Sequence, residues 1–289
     1  MFTQKPGPVQ PGFSIGLRGA PQTPTVPGTV SDASSEQPMR RALELATGGL
    51  GRVWPNPSVG CVVVRDGEVV GEGRTGEGGR PHGESVALEQ AGERAAGATV
   101  YVTLEPCSHW GRTPPCSDAL VEARVARVIM AVRDPDPRVD GKGRAQLAAA
   151  GIAVEVGMLR AEAEAVNAGF FHRLRHGRPL VGVTTAWGHS LNASSQLWDA
   201  VLAHPSFDDA DRPTVAMELD ELRTAQSVGR WRLHHGEGPL SVPRGRHRRA
   251  TLRAALATLG ELGLTRLLVH ADDPLAGLLR EAGLVDLDR

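Results

Sequence analysis

The sequence predicts an α/β protein with two domains. Strand-like runs of Val, Ile and Leu alternate with helix-like stretches between residues 59 and 156, which is typical of a sheet covered by helices. A chain of 289 residues is long enough for two domains with separate cores. Hydrophobic residues make up 40% of the chain but aromatic residues only 4%, so we expect interiors built mainly from Val, Leu and Ala.

The first elements follow a segment of low complexity. Residues 1–31 are rich in Pro, Gly, Thr and Gln, and their few apolar residues predict a disordered tail. The first domain is predicted over 32–174. Its elements are, in order, a helix at 39–46, a hairpin of strands 59–64 and 68–73 around Asp66-Gly67, a helix at 84–95, a strand at 99–104, a helix at 117–123, a strand at 125–132, a helix at 143–151 and a strand at 152–156.

The second predicted domain covers 175–289. Its clearest features are a strand at 179–186, a helix at 249–263 and a strand at 264–271. These again alternate, so a second α/β unit is expected.

Charge and hydropathy narrow the classes of partner. Lysine and arginine number 32 and aspartate and glutamate 33, so the chain lacks the positive field that holds a nucleic-acid backbone. No run of about 18 apolar residues is present, and the first residues lack the basic-then-apolar order of a secretory signal. We therefore expect a cytoplasmic protein that binds a small molecule, with no nucleic acid and no membrane.

The stretch PCSHWGRTPPC holds two of the three cysteines, Cys107 and Cys116. A metal clamp, a disulfide loop and a simple turn are all compatible with this spacing, but a reducing cytosol keeps cysteines as thiols. The third cysteine, Cys61, lies in a predicted strand among apolar neighbours, where we expect it to be a small buried residue.

Two helix starts carry the residues that suggest chemistry. PHGE places His82 and Glu84 at a junction between a loop and a helix, and PPC places Cys116 in the first turn of another helix. Free N–H groups and the helix dipole stabilise thiolates at such positions. We expect Cys107 at the carboxyl end of a central strand.

One histidine and two cysteines supply three ligands, which is the catalytic arrangement of zinc because the fourth position stays open to water. Glu84 is then the candidate for proton transfer in a hydrolytic deamination. The alternatives are a structural histidine, core cysteines and an ordinary first-turn glutamate. His109 is an alternative fourth ligand that would close the site, although its closeness to Cys107 favours a substrate contact.

These motifs resemble a known family. HGE at 82–84, TLEPCSHWGRTPPC at 103–116 and DPDPRVDGKG at 134–143 resemble the deaminase domain of the bifunctional riboflavin-biosynthesis deaminase/reductase family, and NPSVG at 56–60 resembles the stretch before its first strand. The resemblance covers residues 36–170. It implies a cytidine-deaminase-like three-layer α/β/α domain followed by a truncated dihydrofolate-reductase-like α/β domain.

The resemblance also implies roles for individual residues. It implies one Zn²⁺ per chain on His82, Cys107 and Cys116, with proton transfer by Glu84. It further implies that a phosphoribosyl pyrimidine lies near Asn56, His109 and the 134–143 loop. Within that loop, Lys142 between two glycines before a helix suits a phosphate group, and a solvated surface turn is the alternative.

Two departures from the family matter. Thr75 stands where the family commonly has a histidine, which bears on substrate identity. In the second half, VTTAWGHSLNA (183–193) only distantly resembles the reductase segment, and Asp272 and Asp273 replace a glycine pair near the cofactor phosphates. We therefore expect NADPH not to bind, and the second domain to be retained for dimerisation, giving a homodimer, or for covering the core.

Three functions follow from these observations. The first is deamination of the riboflavin-pathway pyrimidine 5′-phosphate. The second is deamination of another aminated pyrimidine or purine. The third is a non-catalytic scaffold for a reductase partner, in which zinc serves only the fold.

Overall fold

The computed structural model describes residues 33–111, 113–185, 198–203, 229–232 and 248–288. The predicted tail, and residues 186–193 of the reductase-like segment, lie outside these ranges.

The first sheet has five strands in the order β2-β1-β3-β4-β5. Strand β1 pairs antiparallel with β2 and β3, whereas β3, β4 and β5 run parallel. The strands are β1 (Gly60–Arg65), β2 (Glu68–Arg74), β3 (Thr99–Val102), β4 (Arg127–Met130) and β5 (Ala153–Val156). Parallel neighbours need crossover connections, and the predicted helices supply them.

The predicted hairpin is confirmed. Asp66 and Gly67 both have positive φ, 53° and 82°, which is the combination that a two-residue type I′ turn requires. Cys61 lies in β1 and is completely buried, as predicted.

Six helices accompany this sheet in the described ranges: α1 (Ala33–Thr47), α2 (Gly83–Ala91), α3 (Cys116–Glu122), α4 (Lys142–Ala149), α5 (Arg160–Val166) and α6 (Ala168–His176). Helix α1 begins six residues before the predicted start. The last two helices follow one another directly, with only Asn167 between them.

The helices cover both faces of the sheet. A Cβ built on Gly60 would meet the backbone of Ala42 in α1, and one built on Gly73 would meet the backbone of Gly83 in α2. Gly73 pairs with Cys61, the residue after Gly60, and neighbouring strand residues point to opposite faces. Helices α1 and α2 therefore lie on opposite sides, which gives three layers.

The second sheet has the order β10-β6-β9-β7-β8, and all of its pairs are parallel. Its strands are β6 (Leu180–Thr184), β7 (Ala200–Ala203), β8 (Gly229–Arg232), β9 (Arg266–His270) and β10 (Leu287–Asp288), and its described helices are α7 (Arg248–Glu261) and α8 (Pro274–Glu281). The predictions of β6, α7 and β9 are confirmed, and the other elements were not predicted.

Helix α8 begins with a side-chain cap. Asp273, at the N-cap, accepts a hydrogen bond from the backbone N–H of Leu275 at 2.7 Å, and Pro274 occupies the first turn. Both sheets belong to one compact unit. None of the helices in the described ranges has the length and apolar character needed to cross a membrane.

Candidate metal centre and active-site cavity

His82 and Glu84 lie at the start of α2, as the sequence predicted. His82 is the N-cap residue, with extended backbone angles of φ −73° and ψ 153°, and Glu84 is the second residue of the helix. The change of backbone direction at the cap explains how two residues only two positions apart share one site.

The two cysteines come from different segments. Strand β3 ends at Val102, earlier than predicted, so Cys107 lies on an extended connection beyond the third of five strands. Cys116 is the first residue of α3, and its backbone N–H donates to Cys107 Sγ at 3.3 Å. Ser117 also donates to the carbonyl of Cys107, with both its backbone N–H and its hydroxyl at 3.1 Å. The helix start therefore holds both sulfurs together.

His82, Cys107 and Cys116 form a cluster with metal-binding geometry, because their ligand atoms all lie within 4.8 Å of one another. His82 Nδ1 is 3.2 Å from Cys116 Sγ and 3.5 Å from Cys107 Sγ. Tetrahedral zinc with its usual bond lengths places such ligand atoms about 3.5–3.8 Å apart. The three side chains therefore fit zinc with only small adjustments.

The protonation of the cluster also suits a dication. The hydrogen bond with Cys116 lowers the pKa of Cys107 to about 4, and the same contact raises the pKa of Cys116. Zinc binds cysteines as thiolates, so its binding would release any proton that the two sulfurs share.

Glu84 has the environment expected for a proton carrier. Glu84 is only 3% exposed, and burial raises the pKa of its carboxyl. A buried carboxyl takes up and releases a proton nearer to neutral pH than an exposed one does.

A cavity of about 690 Å³ opens onto the cluster. His82, Cys107 and Glu84 line it, together with the predicted substrate residues Asn56 and His109. The ring Nδ1 of His109 is buried without a hydrogen-bond partner in the described part of the chain, and His109 does not belong to the metal cluster. The contact of His109 with substrate stays a prediction.

Lys142 and Thr75, which the sequence analysis also singled out, both form hydrogen bonds with the backbone. Lys142 is absent from the cavity lining, and its Nζ donates to the carbonyls of Pro137 and Arg138 at 3.2 and 3.3 Å. Its contact with substrate stays a prediction. Thr75 does line the cavity, but its Oγ1 accepts a hydrogen bond from the backbone N–H of Val59 at 2.9 Å. This side chain therefore holds the backbone just before β1.

Glu105 joins the cysteine segment to the 134–143 loop. Its buried carboxylate accepts hydrogen bonds from three backbone N–H groups, those of Asp134 (3.4 Å), Gly141 (3.0 Å) and Arg144 (3.1 Å). Both Glu105 and Asp134 line the cavity. Burial raises the pKa of Asp134 to about 7, and the charges of Asp136 and Glu105 add to this effect.

Sequence reasoning missed several residues that line the cavity. They come from the segment before β1, from the loops, from α6 and from the residue after α7, and are Trp54, Arg80, Trp110, Phe170, Arg173 and Leu262. Trp110 and Arg80 flank motif residues, so closeness to a motif was an available signal for these two. Arg173 and Leu262 lie far along the chain and carry no such signal.

Comparisons with known proteins agree with this site. Residues 32–132 match the family described as cytidine and deoxycytidylate deaminase zinc-binding region. The chain is 55% identical over 148 residues to the riboflavin biosynthesis protein RibD of Haemophilus influenzae, a match that covers 51% of this chain and 40% of that protein. The chain therefore spans less than half the length of this relative.

A shorter relative is matched over nearly its whole length. The diaminohydroxyphosphoribosylamino-pyrimidine deaminase of Buchnera aphidicola subsp. Schizaphis graminum is 46% identical over 141 residues, which cover 49% of this chain and 96% of that protein. Among solved structures, RibD of Acinetobacter baumannii (form 2) superposes with a TM-score of 0.68 at 32% identity, over 88% of this chain and 84% of that one.

Proposed function

Because the chain belongs to the RibD family of riboflavin-biosynthesis deaminases, we propose that its first domain removes an amino group from the family's phosphoribosyl pyrimidine by hydrolysis. The observation that carries this proposal is the cluster of His82, Cys107 and Cys116 at one cavity with the buried Glu84. The cavity volume of about 690 Å³ also leaves room for a ribosyl phosphate beside the ring.

The residues divide the chemistry between them. A zinc ion on the three ligands, when bound, lowers the pKa of a water molecule in its open position to about 7. The carboxylate of Glu84 accepts a proton from the attacking water and passes it to a ring nitrogen of the pyrimidine. Glu84 then takes the second proton, that of the hydroxyl now bonded to the ring carbon, and delivers it to the departing amino group, so that ammonia leaves and a carbonyl forms on the ring.

The cavity walls bind and orient the substrate in this proposal. Asn56 and His109 offer polar groups beside the cluster, and the loop tied to Glu105 closes another side. Enclosure by these walls keeps bulk water away from the reacting ring and strengthens the hydrogen bonds to it.

Ammonia release from the purified zinc-loaded chain tests the function. We expect turnover of the diaminohydroxyphosphoribosylaminopyrimidine and little turnover of cytidine, deoxycytidylate or adenosine. A chain that leaves this pyrimidine unchanged but deaminates another amine in the panel would contradict the proposed substrate. Inactivity on every amine would favour the scaffold hypothesis.

The second candidate, a deaminase of another aminated heterocycle, is favoured by one observation. Thr75 is 2% exposed, and its hydroxyl bonds to the backbone, so it offers the substrate no ring nitrogen where the family commonly has histidine. The panel above separates the two candidates.

We further propose that residues 175–289 form a truncated dihydrofolate-reductase-like domain without NADPH-dependent activity. Asp272 and Asp273 follow β9, and the N-cap bond of Asp273 fixes one carboxylate at the start of α8. Negative charge at this place opposes cofactor phosphates. The domain boundary at 174/175 and a homodimer built on the second domain are part of the same proposal.

NADPH titration checks this proposal. We expect no saturable change of nicotinamide fluorescence in the micromolar range, because the two aspartates repel the phosphates. A dihydrofolate reductase in the same buffer serves as the positive control. Saturable micromolar binding by this chain would contradict the loss of cofactor binding.

A further inference from the structure

The wall of the cavity before β1 is packed against the C-terminal part of the chain. Trp54 lines the cavity, yet it belongs to the hydrophobic core that is otherwise made of residues from 181–284. Its side chain is thus held by the second sheet and its helices. Of the residues in the described ranges, Trp54 is the member of that core that comes from the first domain.

The segment just after α7 contacts Pro55, the residue that follows Trp54. Gly263 has a φ of +105°, and a Cβ built on it would clash with the Cβ of Pro55. No larger residue fits between the two segments without displacing one of them. Leu262, the neighbouring residue, lines the cavity itself.

Arg173 bridges the same two segments. Its Nη2 donates to the carbonyl of Pro55 at 3.0 Å, and its Nη1 donates to the carbonyl of Gly260 at 3.3 Å. Within the described ranges Arg173 forms no ion pair with a carboxylate, and burial lowers the pKa of its guanidinium. A half-buried cation held by two backbone carbonyls and the face of the Phe170 ring, without a carboxylate in direct contact, is costly, which suggests that its position matters.

The contact continues to the substrate side of the cavity. Asn56 follows Pro55, and its Nδ2 donates to the carbonyl of Gly79 at 2.8 Å. Arg80, the next residue, lines the cavity beside His82. A shift of Pro55 would therefore move Asn56 and, through Gly79, the neighbouring wall.

We propose that the C-terminal part of the chain completes the deaminase cavity, with Leu262 as a wall residue and Arg173 as the positioning residue for Asn56. This role does not require a reductase activity of the second domain. The consequence for catalysis rests on the proposed deaminase function, whereas the consequence for the 54–56 segment does not.

The substitution Arg173→Gln tests the bridge, and Arg175→Gln is its matched control. Both arginines lie on α6, and each guanidinium sits 5.9 Å from the ring centre of a phenylalanine, but Arg173 also binds the two carbonyls. We expect hydrogen–deuterium exchange at the backbone amide of Asn56, bonded to the Val53 carbonyl at 3.1 Å, to rise about tenfold in R173Q alone.

Kinetics give a second readout. In R173Q we expect KM to rise about tenfold, with a smaller change of kcat and an unchanged zinc content, because the metal ligands and Glu84 are not displaced. Equal exchange in R173Q and R175Q would overturn the proposal. The exchange measurement tests the positioning of Asn56 even if the wild-type chain has no deaminase activity. Failure of this proposal can therefore be distinguished from failure of the proposed function.

A second pair of variants is needed if backbone amides throughout the first sheet exchange faster in R173Q, because that result would indicate general destabilisation. Gly263→Ala places a methyl group against Pro55, whereas Gly157→Ala has a similar positive φ of +113° but meets nothing within 4 Å. We expect faster exchange at Asn56 only in G263A. If Asn56 exchanges at the wild-type rate in G263A, the C-terminal contact does not position this wall.

Discussion

Replacing Glu84 by glutamine is expected to reduce deamination by about 10²- to 10⁴-fold while zinc content and folding persist. The amide has nearly the same shape as the carboxylate, so the buried site remains filled. It cannot accept the proton of the attacking water or return one to the leaving amine. Ammonia release, metal analysis and a thermal melt measure the three properties.

Glu89→Gln is the matched control for this variant. It makes the same chemical change on the same helix, five residues further along at an exposed position. We expect wild-type activity from E89Q. An E84Q chain that holds zinc and deaminates at more than about a tenth of the wild-type rate would be inconsistent with general acid–base catalysis by Glu84.

Replacing Cys107 by serine is expected to remove the metal and the activity together. A hydroxyl is a poor zinc ligand compared with a thiolate, and only two strong ligands remain. Bound zinc should fall from about one ion per chain to close to none, and deamination by at least about 100-fold. The loss of the Cys116 N–H bond to sulfur also loosens the start of α3.

Cys61→Ala provides the comparison. Cys61 is a buried cysteine as well, but it lies in β1 and outside the cluster. Its removal should lower the thermal stability and leave the zinc content unchanged. Full zinc occupancy in Cys107→Ser would show that the cluster is not the metal site.

The metal cluster could be predicted from the sequence because its ligands lie at or near helix starts, which short-range sequence signals mark. His82 caps one helix and Cys116 begins another, and both starts have short-range signals such as proline before the helix and free N–H groups. The first sheet could be predicted for the same reason, because strand-like and helix-like stretches alternate along that part of the sequence. Strand ends were less accurate, since β3 ends before the predicted residue.

The cavity walls were not predictable because they depend on contacts between distant parts of the chain. Arg173 is 118 positions from Pro55, whose carbonyl it binds. The break between α5 and α6 has a similar origin: the side chain of Asn167 bonds to both the backbone N–H and the carbonyl of Ser58. No periodicity or motif near these residues indicates such partners.

The carboxylate of Glu105 has a consequence for how this protein can diverge from its relatives. All three of its partners in the 134–144 segment are main-chain groups, which every amino acid except proline provides. The side chains of Asp134 and Arg144 can therefore change without loss of the donor N–H, whereas Gly141 has a φ of +85° and Gly143 lies against the carbonyl of Pro106, so that both positions favour glycine. Preference for one heterocycle over another can drift through evolution while the hydrolytic machinery keeps its geometry.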